Sequence, residues 1–156
     1  MNASGHAILM TGGSSGIGLA LAERFCRAGS DVIVTGRRPE LLERAGRSLP
    51  SLHTVVSDVG KARDRERRAA SLRERAFPID VLINNAGIQK KLDLTRLEPW
   101  DEAREEIAVN LEGPIHLTSL LLPLLTERPR AYVVNVSSGL AFVPSATVPI
   151  YSATKA

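Results

Sequence analysis

Tyr151 and Lys155 stand four residues apart near the end of the chain, a spacing that puts both on one face of a helix. Held there, a lysine ammonium favours the phenolate form of the tyrosine, and such a phenol can give a proton to an oxygen or take one back. Alone, Tyr-x-x-x-Lys is also ordinary decoration of a helix surface. Ser138, 13 residues before Tyr151, carries a hydroxyl suited to polarising a carbonyl and stabilising the charge that develops on its oxygen. As a hydrolase nucleophile Ser138 lacks a base. His6 precedes a glycine cluster, His53 precedes a β-branched run and His116 falls in a helical stretch, so none forms a recognisable Ser-His-Asp set.

A second group of residues lies towards the other end. Thr11-Gly12-Gly13-Ser14-Ser15-Gly16-Ile17-Gly18 separates a short apolar run from a helical pattern, where backbone N–H groups and the helix dipole can meet a pyrophosphate. Gly12, Ser14, Ser15, Gly16, Ile17 and Gly18 are the candidate contacts. The spacing is Gly-x3-Gly-x-Gly, not the Gly-x-Gly-x-x-Gly of the commonest dinucleotide fingerprint, and a tight strand-to-helix turn would use the same residues. Gly36-Arg37-Arg38 follows the next β-branched run. An acid about 20 residues beyond the glycine loop bonds a ribose 2′-hydroxyl, whereas arginine there accommodates a 2′-phosphate. A guanidinium offers the charge and forked donors that the phosphate needs, so Arg37 and Arg38 favour NADP(H) while leaving NAD(H) possible.

The elements that must position these groups alternate along the chain. Ala7 to Met10, Val32 to Thr35, Thr54 to Val56, Val81 to Ile83 and Ala131 to Ser137 read as five strands. Between them lie helical patterns: Ile17, Ala20, Leu21, Phe25 and Ala28 before Gly29; Leu41, Leu42, Ala45 and Leu49 after Pro39; an arginine-rich segment; and a long region that Pro99 opens and that continues through Asn110 to about Leu125. Pro114 and Pro123 are expected to bend or end it. A further helix begins at Tyr151. Apolar strands separated by helices predict a doubly wound, Rossmann-type α/β domain with a parallel sheet of about five strands. With no linker or second period, 1–156 reads as one dinucleotide-binding domain.

Composition narrows the alternatives. Of 156 residues, 44% are apolar and 24% charged, the proportions of an ordinary globular domain. Uninterrupted apolar runs fall short of the roughly 20 residues of a spanning helix, and no secretory leader precedes the first strand, so the expected location is the cytoplasm and no membrane role is expected. The net charge of +3 concentrates between Lys61 and Ala76. With aromatics at 4%, that segment reads as a solvated helix face and not a nucleic-acid surface. Cys26 has no partner for a bridge, and no Cys/His/acid spacing suggests a metal.

The glycine loop, Asn84-Asn85-Ala86-Gly87, Ser138 and Tyr151-x-x-x-Lys155 occur in an order and context that resemble the classical short-chain dehydrogenase/reductase family, and the resemblance covers essentially the whole chain. It implies an oxidoreductase that exchanges hydride between a nicotinamide cofactor and a carbonyl or secondary alcohol. Tyr151 would be the general acid/base and also contact the cofactor, Lys155 would bind the nicotinamide ribose and stabilise the phenolate, and Ser138 would hold the substrate oxygen. Asn110, in Val109-Asn110-Leu111, resembles the asparagine that holds a water between lysine and solvent. Asp58 and Val59 fall where the family meets the adenine, although Asp58 also suits a helix cap. Asn85, Ala86 and Gly87 would border the cofactor, while Asn84 would tie neighbouring loops together.

Family members ordinarily continue beyond the helix of Tyr151 through two more strands and a substrate-covering segment, and commonly form homo-oligomers. The resemblance therefore implies an incomplete domain, with a marginal final helix and an uncovered fifth strand. A non-catalytic dinucleotide-binding or interaction protein is the competing expectation, and an epimerase of the extended type a more distant one. Asn85-Ala86-Gly87-Ile88-Gln89 and Asn135 to Pro144 also resemble bacterial reductases loosely linked to D-alanine esterification of teichoic acids, a pathway the residues themselves do not specify.

Overall fold

Alternate residues of each central strand point to opposite sides of a sheet, and here both sides are apolar. Ile8, Met10, Val32, Val34, Val81 and Ile83 enter one core cluster, and Leu9, Ile33 and Leu82 the other. Such a sheet must be covered twice. The computed structural model, which describes residues 3–49, 51–95 and 100–156, has five parallel strands: β1 (Ala7–Thr11), β2 (Asp31–Gly36), β3 (Leu52–Val56), β4 (Val81–Asn84) and β5 (Tyr132–Asn135). Their order is β3-β2-β1-β4-β5, the doubly wound arrangement expected from the sequence. Helices α1 (Gly16–Arg27) and α2 (Pro39–Ser48) contribute Ala22, Leu42 and Ala45 to the first cluster. Helix α3 (Ala62–Glu74) contributes Ala69 and Leu72 to the second.

The winding reverses between β1 and β4, and ligands of open α/β sheets bind outside the strand ends at such a point. The register lines these ends up. Thr11 pairs with Thr35 and Asn84 with Asn135, while Met10 pairs with Ile83. Residues just beyond these pairs therefore share one rim.

The long helical region reaches the end expected near Leu125 and runs through both prolines. Pro99 lies outside the described residues. From Trp100 to Thr126 the chain is helical for 27 residues, as α4 (Trp100–Ile107), a π-helical turn (Ala108–Glu112) and α5 (Gly113–Thr126). Neither proline ends it. Pro114 sits in the first turn of α5, just after the wide turn has shifted the hydrogen-bond ladder, while Pro123 lies inside α5. By length and composition this helix could reach across a bilayer, which counting uninterrupted apolar runs did not suggest. In the fold, Leu117, Leu121 and Leu125 bury in the second core cluster.

The arginine-rich helix is not simply a solvated face. Arg65 is 2% exposed; it donates to the Val59 carbonyl at 2.7 Å, to His116 Nδ1 at 3.0 Å and to Glu112 Oε1 at 2.6 Å. Arg68 is half-buried, and burial, with Arg75 and Arg67 near it, lowers its proton affinity. Charge alone did not show which arginines face inward. His53 lies within β3, not before it, and pairs with Asp31 at 3.1 Å.

Helix α6 (Pro149–Lys155) is short, but tertiary contacts fasten it. Ser152 and Thr154 are buried, and Ser137 Oγ donates to the Lys155 carbonyl at 2.7 Å. Strand β5 stops at Asn135, two residues before its expected end, where its partner β4 also ends; beyond it the Val136 N–H donates to the Asn84 carbonyl at 2.9 Å and the Val136 carbonyl accepts from Lys155. Replacing Arg65 with Met leaves the Val59 carbonyl and His116 without their donor. We expect it to lower the unfolding free energy by about 1–3 kcal/mol, measured by urea denaturation.

Candidate functional site

The glycine loop wraps the carboxyl end of β1 because its residues leave no room for side chains. Gly12 has φ +69°, and a Cβ there would lie 2.7 Å from the Ala86 Cα. At Gly18 a Cβ would lie 2.4 Å from the Gly12 carbonyl oxygen. The loop is tied to the segment after β4. Thr11 Oγ1 accepts from the N–H groups of Asn85 and Ala86, both at 3.1 Å, and Asn85 Nδ2 donates to the carbonyls of Thr11 and Gly12 at 3.0 and 3.1 Å. Helix α1 opens with no acid in its first turn and no side-chain cap on Ser15, so no carboxylate opposes an anion at its dipole.

This loop floors a crevice of about 450 Å³. Gly12, Ser14, Ser15, Ile17 and Gly18 line it with Arg37, Arg38, Asp58, Val59, Asn85, Ala86 and Gly87. The structure thus gathers all the expected loop residues except Gly16, which lies in the same turn with φ +57° and open space about its α-carbon. A concave cradle of that size, walled by glycines and two arginines, fits the phosphates and adenosine of a dinucleotide.

Asp58 does not cap α3. Lys61 occupies the N-cap position, and Asp58 Oδ1 accepts from the Gly60 N–H at 3.0 Å, forming a turn within the loop. Asp64 from the first turn of α3 accepts the Asp58 N–H at 2.8 Å. Asn84 donates to Asn135 Oδ1 and Thr118 Oγ1, joining β4 to β5 and α5, not the neighbouring loops expected.

Tyr151 and Lys155 share α6, and Lys155 comes close to the crevice at Gly87. Lys155 Nζ lies 5.9 Å from the centre of the Tyr151 ring and donates to the Val136 carbonyl at 2.9 Å. Burial holds its ammonium below the usual lysine range. A Cβ at Gly87 would sit 3.4 Å from both Lys155 Nζ and Asn110 Oδ1, so these groups meet where the crevice closes. Ser138 lies just past β5; its Oγ accepts from the Leu140 N–H at 3.2 Å at the start of a 3-10 turn (Gly139–Ala141).

Asn110 belongs to the π-helical turn, a feature frequent at functional positions. Its side chain is fully committed. Oδ1 accepts from the Ile88 N–H at 2.9 Å, while Nδ2 donates to the Ile88 carbonyl at 2.8 Å and to Thr154 Oγ1 at 3.1 Å. The carboxamide therefore joins the segment after β4 to α6. Asn110's main-chain carbonyl has no ordinary helical donor four residues on, because Pro114 has no N–H.

Three residues here carried no motif. Thr154 completes the Asn110 contact, and its one signal was its place inside Tyr-x-x-x-Lys. Glu105 reaches Arg37 at 3.2 Å. Glu106 is 0% exposed and accepts from the Lys90 N–H at 3.0 Å, with Oε2 unpaired among the described residues. A charged pair in a helical stretch gives no hint which member is buried. Among the described residues no group of three His, Cys, Asp or Glu side chains is placed to hold a metal ion.

Fold and crevice define a doubly wound, Rossmann-like α/β protein. A family model for short chain dehydrogenases matches residues 6–156, and the chain belongs to that family. It is 43% identical over 162 residues to the uncharacterized oxidoreductase DltE of Bacillus subtilis, covering 100% of this chain and 62% of that protein. It is 35% identical over 150 residues to the NADP-dependent 3-hydroxy acid dehydrogenase YdfG of Salmonella typhi, covering 96% of this chain and 60% of that one. The crystal structure of a 3-ketoacyl-(acyl-carrier-protein) reductase from Brucella melitensis complexed with NADH superposes with a TM-score of 0.90 at 29% identity, over 99% of this chain and 66% of the other. The chain thus spans about three-fifths of the length of the curated relatives it matches.

Burial raises the proton affinity of Glu106. The folded state then binds more protons than the unfolded state as pH climbs upward from the usual glutamate value near 4.5, so stability falls with rising pH across that window. Glu106→Gln should flatten the fall, read from urea midpoints between about pH 4.5 and 7.

Proposed function

We propose that this chain carries the cofactor-binding and proton-transfer region of an NADP(H)-dependent oxidoreductase that interconverts a carbonyl and a secondary alcohol. The observation that supports it is the junction at Gly87, where the glycine-loop crevice meets Lys155, whose ammonium stands 5.9 Å from the Tyr151 ring. When bound, a nicotinamide cofactor supplies or accepts hydride.

Each remaining task falls to a side chain of this protein. Tyr151 gives its phenolic proton to the substrate oxygen in reduction and recovers it in oxidation. Lys155, its ammonium easier to deprotonate because of burial, stabilises the phenolate and holds ribose hydroxyls. Ser138 donates a hydrogen bond to the substrate oxygen as charge develops there. Asn110 holds the π turn against Ile88 and Thr154, and its main-chain carbonyl, lacking a donor from Pro114, is the group suited to hold a relay water behind Lys155. Phe142 and Val143, 86% and 73% exposed, offer an apolar wall to a substrate.

The preference for NADP(H) rests on the end of β2. Gly36, Arg37 and Arg38 line the crevice there, a run with no carboxylate to repel a 2′-phosphate and two guanidinium groups to attract it. YdfG, an NADP-dependent relative, agrees with this choice. Asp58, Val59, Asn85 and Ala86 border the adenosine half.

Tyr151→Phe is expected to lower kcat for NADPH-dependent carbonyl reduction by about a hundred- to ten-thousandfold while leaving the Kd for NADPH unchanged; full activity in the variant would end the assignment. Arg37→Asp should weaken NADPH binding by at least about tenfold more than NADH binding, the loss of one charge-assisted phosphate contact, as read by fluorescence titration of both cofactors. Equal losses would remove the phosphate role.

A further inference from the structure

The two arginines that follow Gly36 face different partners. Arg38 Nη2 donates to Ser15 Oγ at 2.8 Å, towards the glycine loop. Arg37 Nη1 donates to Glu105 Oε1 at 3.2 Å, across to α4. The other oxygen of that carboxylate, Oε2, receives Lys90 Nζ at 2.5 Å, from the segment after β4. An ion-pair line, Arg37–Glu105–Lys90, thus runs along the rim from the end of β2 to the loop beyond β4. Arg37 lines the crevice and Glu105 does not, so Glu105 bears on it through its bond to Arg37.

We propose that Glu105 is a specificity-determining residue that competes with the cofactor 2′-phosphate for Arg37. This rests on the NADP(H) reading given above and adds to it a residue that carries the opposite charge to the phosphate-binding group. A cofactor ending in a ribose 2′-hydroxyl leaves Arg37 with Glu105. A 2′-phosphate brings a second, more highly charged acceptor to the same fork, and Arg37 exchanges partners or is shared between two anions that repel each other. Glu105 therefore penalises only the phosphorylated cofactor, narrowing the preference that Arg37 creates. Lys90, pinned to Glu105 and 3.8 Å from Glu102, keeps the carboxylate at the rim, and the hydrogen bond from Lys90, helped by Arg37, holds the Glu105 carboxyl below the usual carboxylate range, so it is charged at neutral pH.

The test is a set of NADPH and NADH titrations on the chain and three variants, followed by fluorescence at low ionic strength. Glu105→Gln, at a half-exposed position that keeps its size, should bind NADPH about two- to fivefold more tightly, the worth of one exposed ion pair, with NADH unchanged. On an Arg37→Met background the same substitution should give no gain. Weaker NADPH binding by Glu105→Gln, an equal change for both cofactors, or a gain that persists without Arg37 overturns the proposal. Arg37→Met alone separates the two levels. If it weakens NADPH selectively while Glu105→Gln fails, only the competition is wrong; if it weakens both cofactors equally, the NADP(H) reading fails and the proposal falls with it.

Discussion

The bonds that cross the split between β1 and β4 organise the site. The winding of the sheet diverges there, so no helix fills the space above the strand ends and the backbone must be held by other means. Thr11 Oγ1 takes the N–H groups of Asn85 and Ala86, and Asn85 returns its amide to Thr11 and Gly12. Two loops are thereby held at fixed separation, one lining the crevice with glycines and the other leading to Gly87 and the lysine. Gly12 and Gly18 let them approach to distances that no side chain would permit.

From that junction the structure extends in two directions. On one side, Arg65 reaches from the buried face of α3 to the Val59 carbonyl, so a loop that lines the crevice rests on a buried cation. On the other, Asn110 couples Ile88 to Thr154 through one carboxamide. The π-helical turn makes this possible by presenting Asn110 from a helix whose later turns must bury Leu117, Leu121 and Leu125.

The fold was legible because its signals are periodic: five apolar strands alternating with helices leave few arrangements, and the observed strand order is the doubly wound one. The glycine loop, the arginine pair and the Tyr/Lys spacing each have an ordinary structural use as well, and they drew attention only through the order in which they occur along the chain. Other features depended on tertiary partners that no local pattern encodes. Burial of Arg65 follows from Glu112, His116 and Val59 converging on it, and the same arginine in solvent would read identically in sequence. Pro114 and Pro123 looked like helix ends because their missing N–H groups count against a regular ladder, whereas the wide turn had already broken that regularity before Pro114. Asp58 resembled a cap until Lys61 was seen to begin the helix.

The attachments of α6 determine where the site can yield. Val136 holds the side chain of Lys155 and Ser137 holds its backbone carbonyl, so the last residue of the helix is fastened to the segment just beyond β5. The stretch from Gly139 to Val148 is framed as well: the Phe142 and Val143 N–H groups donate to the Gly139 carbonyl and the Ser145 N–H to Ser152 Oγ. The chain that leaves the sheet is thereby returned to α6 as a closed frame, with only the side chains of Phe142 and Val143 standing free of it.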